Sequence, residues 1–152
     1  MRLVWALCFW MASQVASAQL LAPAQELTES NLDRWMRSGV EMATLAGSVE
    51  ELFATDEAFS AFEKLTHNEQ DRQIDAFLAE KGLSKQADHM IKALGWKSVG
   101  DYMRFSARLG NAIAAYFIRS DLGNPTREEL NALDGKVDPV ILAVSEKDVA
   151  FI

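Results

Sequence analysis

The stretch from Ser98 to Arg119 constrains the fold most, because it reads as one long helix carrying two apolar stripes. Val99, Met103, Gly110, Ile113 and Phe117 form one stripe, and Tyr102, Phe105, Leu109, Ala112 and Tyr116 the other. Asp101, Arg104, Arg108, Asn111 and Arg119 form the remaining polar strip. A helix that is apolar over more than half its circumference is packed on several sides. Residues 98–119 are therefore expected to be the central helix of an all-α protein. Ser98 and Asp101 have the spacing of a capping box, in which the serine oxygen satisfies a backbone N–H of the first turn.

The rest of the chain is punctuated in the same way. Thr28 predicts a helix to about Ala46, with Leu32, Trp35, Met36, Val40 and Ala43 inward and Gly39 on the same stripe, open to a close neighbour. Gly47 is expected to end it and Ser48 to start a short helix with Val49, Leu52 and Phe53. Thr55 heads a segment with Phe59, Phe62 and Leu65, and Thr66 with Glu69 forms a second capping box. That helix should stop at Gly82, and the one from Ser84 at Gly95. Thr126 with Glu129 makes a third box, and Asp138-Pro139 places proline at a helical first position, where its missing N–H costs nothing. No sustained two-residue alternation suggests a sheet. The expected architecture is an irregular all-α bundle of about six or seven helices around residues 98–119, a single domain spanning 28–152.

The first residues read as an export signal. Arg2 is followed by the apolar run Leu3–Met11, and Ala16-Ser17-Ala18 supplies an A-x-A cleavage site. The run is about half the roughly 20 apolar residues a spanning helix needs, so no transmembrane anchor is expected. Cleavage after Ala18 leaves 19–27 as an extended lead and removes Cys8, the one cysteine. The mature chain then has neither disulfide nor thiol chemistry and must hold together by packing and caps. Asn124-Pro125-Thr126 is disqualified as a glycosylation acceptor by its proline. These features point to the bacterial periplasm, with the extracellular space as the alternative.

Charge is unevenly spread. The chain carries −7, which becomes −8 when Arg2 is lost. Nine acids between Glu26 and Glu63 face only Arg34 and Arg37. Such a field repels phosphate backbones, so no nucleic-acid partner is expected, whereas a cationic protein or peptide is attracted. Glu50, Glu51, Asp56 and Glu57 are the candidate partner-binding residues; a solvated face is the competing reading.

Catalytic patterns are missing. There is no glycine-rich phosphate cradle, no G-x-S-x-G and no H-E-x-x-H. Two histidines, His67 and His89, do not supply a three-histidine zinc site, and no catalytic residue, metal ligand or cofactor is assigned. Arg104 and Arg108, one turn apart, have the spacing to clamp a carboxylate or phosphate; a solvated face pairing with Asp101 and nearby acids is the competing reading. Trp35, Trp96 and Tyr102 are amphipathic rings suited to line a pocket for a small apolar ligand, or to pack as core with one polar atom satisfied.

Two short stretches carry a resemblance. Leu27-Thr28-Glu29-Ser30-Asn31-Leu32, and Gly95-Trp96-Lys97-Ser98-Val99-Gly100-Asp101-Tyr102 leading into a long helix, resemble small exported proteobacterial helical proteins of unassigned function. The resemblance implies a helical fold and export, and it transfers no site residue. The functional expectation is an exported, non-enzymatic binding or interaction module. The alternatives are a carboxylate-based enzyme and an envelope stress or quality factor read through the apolar tail Phe151-Ile152.

Overall fold

A computed structural model describes residues 25–123 and 125–152. The signal and cleavage site, residues 1–18, lie outside them, as do most of the lead and Asn124. The described residues are all-helical, with one isolated bridge between Asp134 and Val137 and no strand. Their order is α1 (Glu29–Val49), a 3-10 turn (Glu50–Phe53), α2 (Asp56–Glu63), α3 (His67–Glu80), α4 (Ser84–Leu94), α5 (Val99–Asp121), α6 (Arg127–Asn131), α7 (Pro139–Leu142) and α8 (Glu146–Phe151). No helix among the described residues is long and apolar enough to cross a membrane. They pack as two compact units, 25–106 and 107–152, with α5 passing from one into the other.

In residues 25–106 the caps fall where the sequence placed them. Thr28 accepts from the Asn31 N–H and Thr55 from the Ala58 N–H. The Thr66 N–H and hydroxyl both donate to the Glu69 carboxylate. Gly82 and Gly95 take the positive φ that lets α3 and α4 stop. At α5 only half of the expected box forms. Ser98 Oγ accepts from the Asp101 N–H at 2.9 Å, but the Asp101 carboxylate, one methylene shorter than glutamate, accepts from the Lys97 N–H instead of reaching Ser98. Its Oδ2 also takes the Gln25 amide at 2.7 Å, and Leu27 is buried, so the start of the described chain is anchored.

α1 departs from its predicted phase. Met36, Val40 and Ala43, expected inward, are exposed. The buried positions are Ser38, Met42, Leu45 and Val49, which continue the three-and-four spacing from Trp35. The helix carries two apolar stripes, and the one that packs includes a serine, which hydropathy counts as polar. Gly39 is also not a close-approach site. A side chain there would meet nothing within 4 Å; its φ of 53° and ψ of −155° kink the helix, a conformation that suits glycine. Gly47 does not end α1 either, and the helix runs directly into the 3-10 turn. α1 packs against that turn, α3 and α4. Fully buried Met42, Leu45, Ile74, Leu78 and Phe105 form the core of this unit, each worth about 1.5–3 kcal/mol of burial.

Residues 107–152 hold the second half of α5 and three helices of four to six residues. Each short helix has a side-chain cap. Thr126 accepts from Glu129 N–H, Asp138 Oδ1 from Val140 N–H, and Ser145 Oγ from Asp148 N–H. The sequence did not mark α8. Its Asp148 is buried, whereas Ile152 of the apolar tail is 42 % exposed.

Candidate functional site

The candidate ring residues meet where α1, the α4–α5 turn and α5 come together within residues 25–106. Two relays of the same design join them. The Trp96 indole N–H donates to Ser38 Oγ at 2.7 Å, and the Ser38 hydroxyl donates to the Arg34 carbonyl one turn back at 2.8 Å. The Trp35 indole N–H donates to Ser106 Oγ at 2.7 Å, and Ser106 donates to the Tyr102 carbonyl at 3.0 Å. A serine hydroxyl accepts and donates at once, so each relay consumes both the indole proton and its own. The Trp96 ring meets Tyr102 edge-on at 5.4 Å and Phe105 at 5.7 Å. Arg34 covers Trp96 at 4.9 Å and donates to the Gly95 carbonyl at 2.9 Å. Burial pushes the Tyr102 hydroxyl up from its ordinary value. Trp96 and Tyr102 are in ring contact, Trp35 joins them through Ser106, and both indole N–H groups are spent on serines of the fold.

The polar strip of α5 is not solvated: Asp101, Arg104, Asn111 and Arg119 are all buried. Arg104 binds Asp71 of α3 through two bonds, Nη1 to Oδ1 at 2.9 Å and Nη2 to Oδ2 at 3.1 Å. Ser98 donates to the same carboxylate at 3.0 Å. Gly100 leaves the room this knot needs, since a Cβ there would lie 2.1 Å from Asp71 Oδ1. Arg104 and Arg108 therefore do not form one clamp. Arg108 belongs to residues 107–152 and binds Asp148 of α8, with Nε to Oδ2 at 3.0 Å and Nη2 to Oδ1 at 2.9 Å. In that unit Arg119 donates to the Val144 carbonyl at 2.9 Å and faces Glu146.

Sequence reasoning missed Ser38, Ser106, Asp71 and Asp148. Ser38 alone carried a usable signal, because it lies on the stripe from Trp35 to Val49. The aspartates are ordinary surface residues in sequence, and only the folded chain brings them to their arginines, 33 and 40 positions away.

The acidic candidates lie at consecutive helix starts, where negative charge offsets the positive helix end. Glu50 and Glu51 open the 3-10 turn, Asp56 and Glu57 open α2, and all four are exposed. Lys81 bridges Glu51. Desolvation pushes the Glu50 carboxyl up. It also raises Asp75, helped by Asp71 and Asp88, and it raises Glu63 against the pull of Lys64. Among the described residues no group of three or more histidine, cysteine or acidic side chains is placed to hold a metal ion.

No family model matches the chain, and no curated protein or solved structure proved similar to it. The described residues define an all-helical protein in which Trp96, Tyr102, Arg104 and Arg108 are engaged inside the fold, while Glu50, Glu51, Asp56 and Glu57 are displayed outside it.

Proposed function

We propose that this is an exported interaction module of the bacterial envelope that binds a cationic protein or peptide through its acidic N-terminal third. The observation that carries the reading is the contrast between charge used and charge displayed. Arg104 and Arg108 are each committed to an aspartate, while Glu50, Asp56 and Glu57 sit exposed at one helix–turn–helix corner beside the Lys81-bridged Glu51. Desolvation raises the Glu50 carboxyl, and the attraction of a nearby cation would offset that penalty. The ring residues support a scaffolding role more than a ligand pocket, because their polar atoms are satisfied internally. The enzyme alternative gains nothing from the raised carboxyls of Glu50 and Asp75, both of which are exposed.

The test uses the chain from Gln19 and oligolysine as probe. Replacing Glu50, Glu51 and Glu57 by Gln and Asp56 by Asn should weaken binding at low salt by at least ~10-fold and flatten its salt dependence. Unchanged affinity removes the acidic corner from the function. Export is checked separately by the mature N-terminus, which should be Gln19 in the periplasmic fraction.

A further inference from the structure

We propose that the exposed face of α1 is a docking strip for a basic amphipathic helix, anchored by Met36 and Val40; this rests on the cationic-partner reading above. Met36 is 64 % exposed and Val40 80 %, and Ala43 is exposed with them. Helical spacing puts Val40, Ala43 and Gly47 on one face of the second half of α1, away from buried Met42, Leu45 and Val49. In the first half, Glu29, Asp33 and Met36 share a face by the same spacing.

The surrounding charge selects the occupant. Glu29, Asp33 and Glu41 are exposed on the helix that carries the apolar anchors, and among the described residues none of the three is in an ion pair. Glu50 lies just beyond its end. Acids exceed bases on this exposed face, where Arg37 is the exposed arginine between Asp33 and Glu41, and exposed apolar side chains in such a setting match a helix with apolar residues on one face and lysine or arginine along its edges. A purely polar cation would leave Met36 and Val40 in water, and an uncharged apolar helix would leave the acids unanswered.

Two peptides of equal charge separate this inference from the broader one: an amphipathic lysine–leucine peptide of about 14 residues, roughly the length of α1 that carries the strip, and an oligolysine. The mature protein should bind the amphipathic peptide at least ~10-fold more tightly. Replacing Met36 and Val40 together by Ser should abolish that excess and leave oligolysine binding unchanged. Val40→Lys, which touches no core residue, should weaken the amphipathic peptide further. Equal affinity for the two peptides, or an excess that survives both variants, overturns the docking strip and leaves the acidic reading standing. Failure of both peptides to bind overturns both. A mature protein that is dimeric by mass and becomes monomeric on the double substitution makes a second copy the occupant and overturns the proposal.

Discussion

In residues 25–106, Arg104 grips an aspartate on a helix of fourteen residues; in residues 107–152, Arg108, one turn later on α5, grips an aspartate on a helix of six. Both pairs are bidentate, Arg104 end-on through Nη1 and Nη2 and Arg108 side-on through Nε and Nη2. The surroundings differ. The first pair is backed by fully buried side chains, two indole–serine relays and a third ligand in Ser98. The second has short helices around it, each held by its own cap. An isolated helix under about 12 residues is marginal in water, so α6, α7 and α8 lean on their caps, α6 also on buried Leu130 and α8 also on Arg108 and Arg119. The first unit would keep its helices if one contact were lost, but it would bury the consequences. The second would lose helices and expose them.

That difference sets the largest expected effect. Asp71→Ala strands Arg104, whose side chain is 7 % exposed, and should cost about 3–4 kcal/mol in urea unfolding. Asp148→Ala strands Arg108, 26 % exposed and open to water, and should cost about 2 kcal/mol. Hydrogen exchange should show the second loss as fraying confined to residues 145–152. Equal costs, or global loss of protection in Asp148→Ala, would break the comparison.

The relays come next. Ser38→Ala removes the acceptor of the buried Trp96 N–H and should cost about 2 kcal/mol, with a change in tryptophan fluorescence. Ser106→Ala should cost about 1 kcal/mol, because Trp35 is only partly buried and water can replace the hydroxyl. In the second unit Thr126→Ala removes a cap and should cost about 1 kcal/mol, read as lost helix signal. A Ser38→Ala penalty no larger than that of Thr126→Ala would mean that the relays do not distinguish the units.

The helices were legible in the sequence because their signals are local. Thr55, Thr66, Gly82, Gly95, Thr126 and Asp138 each act on backbone within four residues, and each was read correctly. Phase was harder. α1 offers two apolar stripes, and the choice between them depends on what the rest of the chain presents, here Trp96 seeking Ser38. The polar strip of α5 was misread for a related reason. Hydropathy counts Arg104 and Arg119 as solvated, but an arginine with a bidentate carboxylate or a free carbonyl tolerates burial. The candidate rings are legible as large amphipathic side chains, but their hydrogen bonds within the fold run to Ser38 and Ser106, which no motif marks. The acidic corner needed no fold at all, since it is a matter of composition along the chain.

Acid titration sharpens the comparison through the two capping glutamates, one in each unit. Hydrogen bonds to Thr66 hold the Glu69 carboxyl below its ordinary 4.5, and hydrogen bonds to Thr126 do the same for Glu129. A carboxyl depressed in the folded state contributes stability above its unfolded value and loses it as pH falls through the folded one. Both boxes should therefore weaken as pH drops below about 4.5. The loss at Glu129 should be the more visible, because α6 has five residues and one buried apolar side chain, Leu130, whereas α3 has fourteen residues with Ile74 and Leu78 buried. Glu129→Gln should remove the acid-induced change in helix signal, and Glu69→Gln should leave most of it.

Asp75 runs the other way and gives the smallest effect. Desolvation, then Asp71 and Asp88, raise its carboxyl above the ordinary 3.8. A carboxyl raised in the folded state opposes folding while ionised, and the cost is relieved as pH falls through the folded value. Asp75→Asn should therefore stabilise the protein at neutral pH and lose its advantage in acid. Asp75 is exposed, so the gain stays within about 0.5 kcal/mol, the range of a surface substitution. Its diagnostic value lies in the neighbour. If Asp71 gives its charge fully to Arg104, only desolvation and Asp88 act on Asp75, and the gain should be the same in an Asp71→Asn background. A gain at neutral pH that shrinks in the Asp71→Asn background would mean that the Asp71–Arg104 knot leaves residual negative charge on the surface of α3. The first unit would then be less completely neutralised than its geometry suggests, and Asp71→Asn combined with Asp75→Asn should give less than the sum of the two effects.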